Sequence, residues 1–144
     1  MVEGRILVVE DEHIVAMGIG VMLKNLGYTV TDIISSGEEA ISKAESTRPD
    51  LVLMDIVLKG NLNGIEASKE IISRFGIPVI YLTACSNREL LEQIWNMGSG
   101  CIVKPFDEMD LKKGIDIVLV QCGIEKKDVK KLAKTSKQFR KTQA

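Results

Sequence analysis

Four consecutive apolar residues bracketed by carboxylates, Asp50-Leu51-Val52-Leu53-Met54-Asp55, constrain this chain more than any other stretch. A run this short and apolar fits a strand covered on both faces, as in a parallel sheet with helices above and below. Asp55 then falls at the carboxyl end of a central strand, the edge at which open α/β sheets place their chemistry.

The residues around that strand alternate between two patterns. Arg5 to Glu10 reads as a first buried strand running into the acidic stretch Glu10-Asp11-Glu12. A helix follows, with Ile14, Met17, Val21, Met22 and Leu26 near helical spacing and Gly27 as its stop. Tyr28 to Ile34 reads as a second strand. Ser36-Gly37-Glu38-Glu39 opens a second helix with a serine cap and an acidic first turn; its apolar face is Ala40, Ile41 and Ala44. Beyond Asp55, the glycines and asparagines of residues 56–64 mark a loop before a third helix, Ile65 to Arg74. Ile77 to Thr83 is a fourth strand, with Pro78 at its start, where a missing N–H is tolerated. Asn87 to Met97 is a fourth helix and Gly100 to Lys104 a fifth strand. Asp107 to about Val120 is a last helix, with Met109, Leu111, Ile115, Val118 and Leu119 as its core residues. Five strand–helix units at this spacing imply a parallel sheet with right-handed crossovers and helices on both faces.

Composition excludes other classes. With 45% hydrophobic and 27% charged residues the chain is neither disordered nor membrane-spanning, and no apolar run approaches the roughly 18 residues a bilayer requires. The first residues enter a strand too soon for a signal peptide, so a cytoplasmic protein is expected. Cys85, Cys101 and Cys122 match no zinc spacing and read as reduced thiols, Cys101 as a small core residue. The net charge of −1 hides an asymmetry: residues 1–120 carry 11 Lys/Arg against 18 Asp/Glu, and residues 121–144 carry 8 against 2. The body is acidic and the tail basic. Residues 1–121 form one domain, and 122–144 are a solvated tail or a basic helical extension, too short for a DNA-binding domain with its own core. Neither a nucleic acid nor a membrane is expected as partner.

Four signals end different strands: Glu10-Asp11 the first, Asp55 the third, Thr83 the fourth, and Lys104-Pro105 the fifth. A parallel sheet brings these ends to one edge. Three carboxylates gathered there repel one another unless a cation joins them, and an all-oxygen donor set favours a hard ion such as Mg²⁺. Lysine supplies a positive point charge for a phosphoryl oxygen and threonine a hydrogen bond. Carboxylate nucleophile, metal, lysine and hydroxyl are the parts that in-line acceptance of a phosphoryl group requires. Gly18-Ile19-Gly20 begins a dinucleotide fingerprint but lies mid-helix, with Leu23 where the third glycine belongs, and it is set aside. His13 reads as a solvated helix residue.

Over about residues 4–121 the chain resembles the receiver domain of two-component response regulators, of the chemotaxis-regulator type. The resemblance rests on the acidic pair, the aspartate after an apolar strand, Asn63-Gly64 before a helix, Pro78-Val79-Ile80-Tyr81-Leu82-Thr83-Ala84, and Lys104-Pro105-Phe106. It implies a flavodoxin-like, doubly wound five-stranded sheet of order 2-1-3-4-5. It implies phosphorylation of Asp55, Mg²⁺ (with Mn²⁺ able to substitute) held by Asp11, Asp55, the Val57 backbone carbonyl and Glu10 through water, and phosphoryl contacts from Thr83 and Lys104. The implied donor is a histidine kinase or phosphotransfer protein. The implied output surface is the helix over 87–97, the strand over 100–104 and the helix from Asp107, serving a partner or a homodimer. The chain would not be an enzyme in its own right.

Two departures stand out. Nine positions separate Asp55 from Gly64, one more than in the commonest members. Cys101 stands three positions before Lys104, where many receivers carry Tyr or Phe, so the usual ring rotation is unavailable. Val57 and Cys85 stand where the family tunes hydrolysis, and neither orients an attacking water well, which implies slow self-dephosphorylation. Two alternatives remain: an N-terminal receiver module of a longer sensor or effector, and a metal-dependent phosphatase with Asp55 as nucleophile. The latter usually carries a second acid two residues on, where this chain has Val57.

Overall fold

The computed structural model of the chain describes residues 4–56, 58, 63–84, 92 and 100–123. Its strands are β1 (Arg5–Val9), β2 (Thr29–Ile34), β3 (Leu51–Asp55), β4 (Val79–Thr83) and β5 (Gly100–Val103). Its helices are α1 (His13–Asn25), α2 (Gly37–Thr47), α3 (Gly64–Phe75) and α4 (Glu108–Gly123). The sheet is parallel, in the order β2-β1-β3-β4-β5, as expected. The reversal of strand order beside β1 and β3 leaves a crevice at their carboxyl ends.

Every residue of β3 is buried, which is why its sequence shows no alternation. Its neighbours alternate between two cores. On one face Leu53, Val8, Ile80 and Ile102 join Ile19 and Leu23 of α1 with Leu111, Ile115 and Leu119 of α4. On the other, Met54, Val9, Tyr81 and Cys101 join Ala40 and Ala44 of α2 with Ala67 and Ile71 of α3. Each large side chain so buried contributes about 1.5–3 kcal/mol.

Local signals place the helices. The Ser36 side chain accepts the Glu39 N–H and starts α2. Asn63 and Glu66 form a reciprocal capping box at the start of α3, and Gly76 ends it with a φ of 68°. Two buried hydroxyls are paired: that of Tyr81 with Ser68 of α3, and that of Tyr28, which donates to Asp116 of α4.

One expectation is corrected. The apolar stripe read on the first helix, Ile14, Met17 and Val21, faces outward, with relative exposures of 86%, 54% and 57%. The helix buries Ala16, Ile19, Gly20 and Leu23 instead. Residues 14–23 are all apolar, so either stripe satisfied the 3.6-residue period; the inner face is the one that carries Gly20, where a Cβ would stand 3.2 Å from the Ile33 side chain of β2. Met109 of α4 is likewise exposed, whereas Leu111, Ile115 and Leu119 are buried.

Candidate functional site

The crevice collects the strand ends. Glu10 follows β1 directly, and its backbone N–H donates to the Ile34 carbonyl at 2.9 Å, which fixes the chain as it leaves the sheet. Asp11 lies one residue on, half-buried. Asp55 is the last residue of β3 and is 7% exposed; Thr83 ends β4 and is buried. Lys104 follows β5, and its N–H donates to the Thr83 carbonyl at 2.7 Å. Glu10, Asp11, Asp55, Thr83 and Lys104, singled out in the sequence, therefore come to one edge. The Val57 carbonyl, Cys85, nearly all of the helix over 87–97, and the tail lie outside the described residues.

The electrostatics are specific. Glu10, Asp11 and Asp55 each offer a carboxylate oxygen, and these oxygens lie within 4.8 Å of one another. The Lys104 ammonium donates to Glu10 Oε1 at 2.9 Å and stands 3.6 Å from Asp55 Oδ2. Burial alone would raise the Glu10 carboxyl, but its contacts with Asp55 and Lys104 outweigh that and hold it below the ordinary carboxylate value. Burial likewise opposes the charge on Lys104, and Glu10 and Asp55 together raise its pKa above the ordinary lysine value.

One lysine does not neutralise three carboxylates. Glu10 Oε2 is buried and has no hydrogen-bond partner among the described residues. A buried orphan acceptor is costly, and a divalent cation within the carboxylate cluster removes the cost. The residues present fit a hard cation.

Gly64 is a site residue whose role the sequence hid. A Cβ there would lie 2.1 Å from the Asp55 carbonyl oxygen and 2.9 Å from Ile56 Cα. The Gly64 N–H also donates to the Ile56 carbonyl at 3.0 Å. The first turn of α3 thus rests on the backbone of Asp55, and only glycine permits that approach. Asn63-Gly64 signals a turn in sequence; its contact across the loop is not a local property.

On the other core face, Cys101 pairs in register with Tyr81 of β4. Both are fully buried, and burial pushes the Cys101 thiol up to about 11. The ring beside this position is therefore that of Tyr81 on β4, anchored to α3 through Ser68.

Comparison with known proteins agrees with this geometry. Residues 6–116 match the response regulator receiver domain. The transcriptional regulatory protein PdtaR of Mycobacterium tuberculosis is 37% identical over 116 residues, which cover 80% of this chain and 56% of PdtaR. Among solved structures, the signal receiver domain of a modulated diguanylate cyclase from Desulfovibrio desulfuricans G20 superposes with a TM-score of 0.80 at 28% identity, covering 87% of this chain and all of that domain. The receiver domain of the sensor histidine kinase PA1611 from Pseudomonas aeruginosa PAO1, with a magnesium ion coordinated in its active-site cleft, gives 0.72 at 32% identity, covering 82% of this chain and 98% of that one. The chain spans about half the length of the curated relatives it matches. With its sheet order, its acidic crevice and a match over most of its length, the chain belongs to the response regulator receiver domain family.

Proposed function

We propose that this receiver accepts a phosphoryl group from a histidine kinase or phosphotransfer protein onto Asp55 and signals by a change of surface. The observation that carries this reading is the convergence of Glu10, Asp11 and Asp55 within 4.8 Å, with Lys104 3.6 Å from Asp55. An Asp55 carboxylate oxygen attacks phosphorus, an O–P bond forms, and the N–P bond to the donor imidazole breaks as the imidazole leaves. Lys104 offers its charge to a phosphoryl oxygen, and the Thr83 hydroxyl a hydrogen bond. Glu10, Asp11, Asp55 and the Val57 carbonyl would hold Mg²⁺, which when bound neutralises charge on the transferring group. The magnesium ion in the PA1611 receiver, a relative in fold and sequence, supports that assignment.

The product adds about −1.5 to −2 charges and new acceptor oxygens at the crevice. Lys104 then exchanges its bond with Glu10 for one with the phosphoryl group, and the loops after β4 and β5 draw inward. The responding surface is β5, α4 and the segment over 87–97. Residues 1–121 act as one domain, with 122–144 as an appended tail. The protein works in the cytoplasm. Beryllofluoride with Mg²⁺ should shift amide resonances on β5 and α4; shifts confined to the crevice would contradict the output surface. Slow self-dephosphorylation follows from Val57 and Cys85, and an acyl-phosphate half-life of seconds at neutral pH would overturn it. The greater length of the relatives favours a second reading, a receiver module within a longer regulator.

A further inference from the structure

Helix α1 presents an apolar face to solvent. Residues 14–23, Ile-Val-Ala-Met-Gly-Ile-Gly-Val-Met-Leu, include no polar side chain. A helix that is apolar all round belongs inside a protein, yet Ile14, Met17 and Val21 of α1 are all more than half exposed. Gly18 is exposed with them. A Cβ at Gly18 would meet nothing within 4 Å, so packing within the domain does not demand glycine there. Mid-helix glycine costs about 1 kcal/mol relative to alanine. The bare position instead leaves a hollow in which a side chain from outside can settle.

The pattern of this face is its own complement. Ile14, Met17, Gly18 and Val21 are spaced by three, one and three positions, a sequence of steps that reads the same in either direction. Two copies of α1 laid antiparallel, about a two-fold axis between positions 17 and 18, therefore match stripe to stripe. Ile14 of one copy meets Val21 of the other, and the Met17 side chain lies over the other copy's Gly18 as a knob enters a hole. The charges obey the same rule. Glu12 precedes the helix and Lys24 stands in its last turn, both exposed. Antiparallel packing sets Glu12 of each copy near Lys24 of the other, at both ends of the contact; parallel packing would set like charges together. Beside the stripe lies a groove of about 330 Å³ walled by Val15, Met22, Pro105 and Phe106, which offers apolar ground to the second copy's flanking side chains.

We infer that this face joins two copies of the chain through an antiparallel α1–α1 contact, with Met17 over Gly18 and Glu12 beside Lys24. One helix a side buries less than the roughly 1,200 Å² at which standard interfaces begin, so the pair forms and parts readily. The inference does not depend on phosphoryl transfer at Asp55, and it uses neither β5 nor the exposed side of α4.

The test is sedimentation of the full chain, unphosphorylated and with a chelator present, from low micromolar to millimolar concentration. Nuclear Overhauser effects between differently labelled copies are measured on the same samples. A concentration-dependent dimer is expected, with contacts from the Ile14 methyls of one copy to the Val21 methyls of the other. Met17→Lys should weaken it by about tenfold or more. The Met17 side chain is exposed in the single copy, so the domain stays folded. Glu12→Lys and Lys24→Glu should each weaken the dimer, and the double reversal Glu12→Lys/Lys24→Glu should restore it, because each end again joins opposite charges. A monomer at every concentration would overturn the inference and leave the face to a separate protein. A dimer that Met17→Lys leaves intact, or one without the Ile14–Val21 contact, would overturn it by placing the interface elsewhere. A dimer that the double reversal fails to restore would overturn the antiparallel pairing and the inference with it.

Discussion

At Gly64 two backbone effects oppose each other, and their sizes decide the outcome. Alanine would gain up to about 1 kcal/mol of helix propensity in the first turn of α3. The same methyl group would meet the Asp55 carbonyl at 2.1 Å, and overpacking of that kind costs about 1–3 kcal/mol or more. Gly64→Ala should therefore lower stability by about 2 kcal/mol in urea unfolding and also displace Asp55; an unchanged midpoint would contradict the close approach. Cys101 gives a residue-scale prediction of the opposite kind. Its neutral thiol, with a pKa raised to about 11, contributes stability that is fully present below the ordinary thiol value near 9 and is lost as pH rises toward 11. Peptide mapping after alkylation at pH 8 should find Cys101 unmodified in the native state and modified in urea. Native modification would contradict its burial. Lys104 completes the residue scale, because its removal strands Glu10 beside Asp55 without a counter-charge. Lys104→Met should lower stability by about 2 kcal/mol, less than for a fully buried pair because the lysine is 22% exposed.

At the scale of elements, periodicity fixed what each segment is but not always which side it buries. The strands were legible because their runs are short, apolar and bounded by turn residues; β3 is the clearest. Helix α2 was legible to the cap, since Ser36 and the acidic first turn act locally. Helix α1 was legible as a helix and misread by face: ten apolar residues in succession carry no preference between a stripe at Ile14, Met17 and Val21 and one at Ala16, Ile19 and Leu23. The choice was made by packing against the sheet, as at Gly20 beside Ile33, which is a tertiary property. Truncation separates the two faces. Leu23→Ala should cost about 3 kcal/mol by thermal or urea unfolding, and Ile14→Ala less than about 1. Equal costs would contradict the orientation of α1. The contact of Gly64 with Asp55 was hidden for a similar reason, because it joins residues across a loop.

At the scale of the whole molecule, the sheet order converts distant residues into one site. Glu10, Asp55, Thr83 and Lys104 span most of the chain and meet only because parallel strands end on the same edge. That convergence was legible in the sequence because each residue follows an identifiable strand. The basic tail has no such signal, because a short charged segment has no core of its own, and it lies outside the described residues. A body with excess carboxylates and an orphaned Glu10 oxygen should gain stability from Mg²⁺, about 1.4 kcal/mol at ten times the dissociation constant. Asp11→Ala should abolish that gain. The most direct test of the account is intact-mass measurement after incubation with Mg²⁺ and a small acyl phosphate, with peptide mapping. Addition of one phosphoryl group at Asp55, absent from Asp55→Asn and from chelated samples, is the predicted result. No addition to the wild type, or addition that survives Asp55→Asn, would contradict Asp55 as the phosphoacceptor.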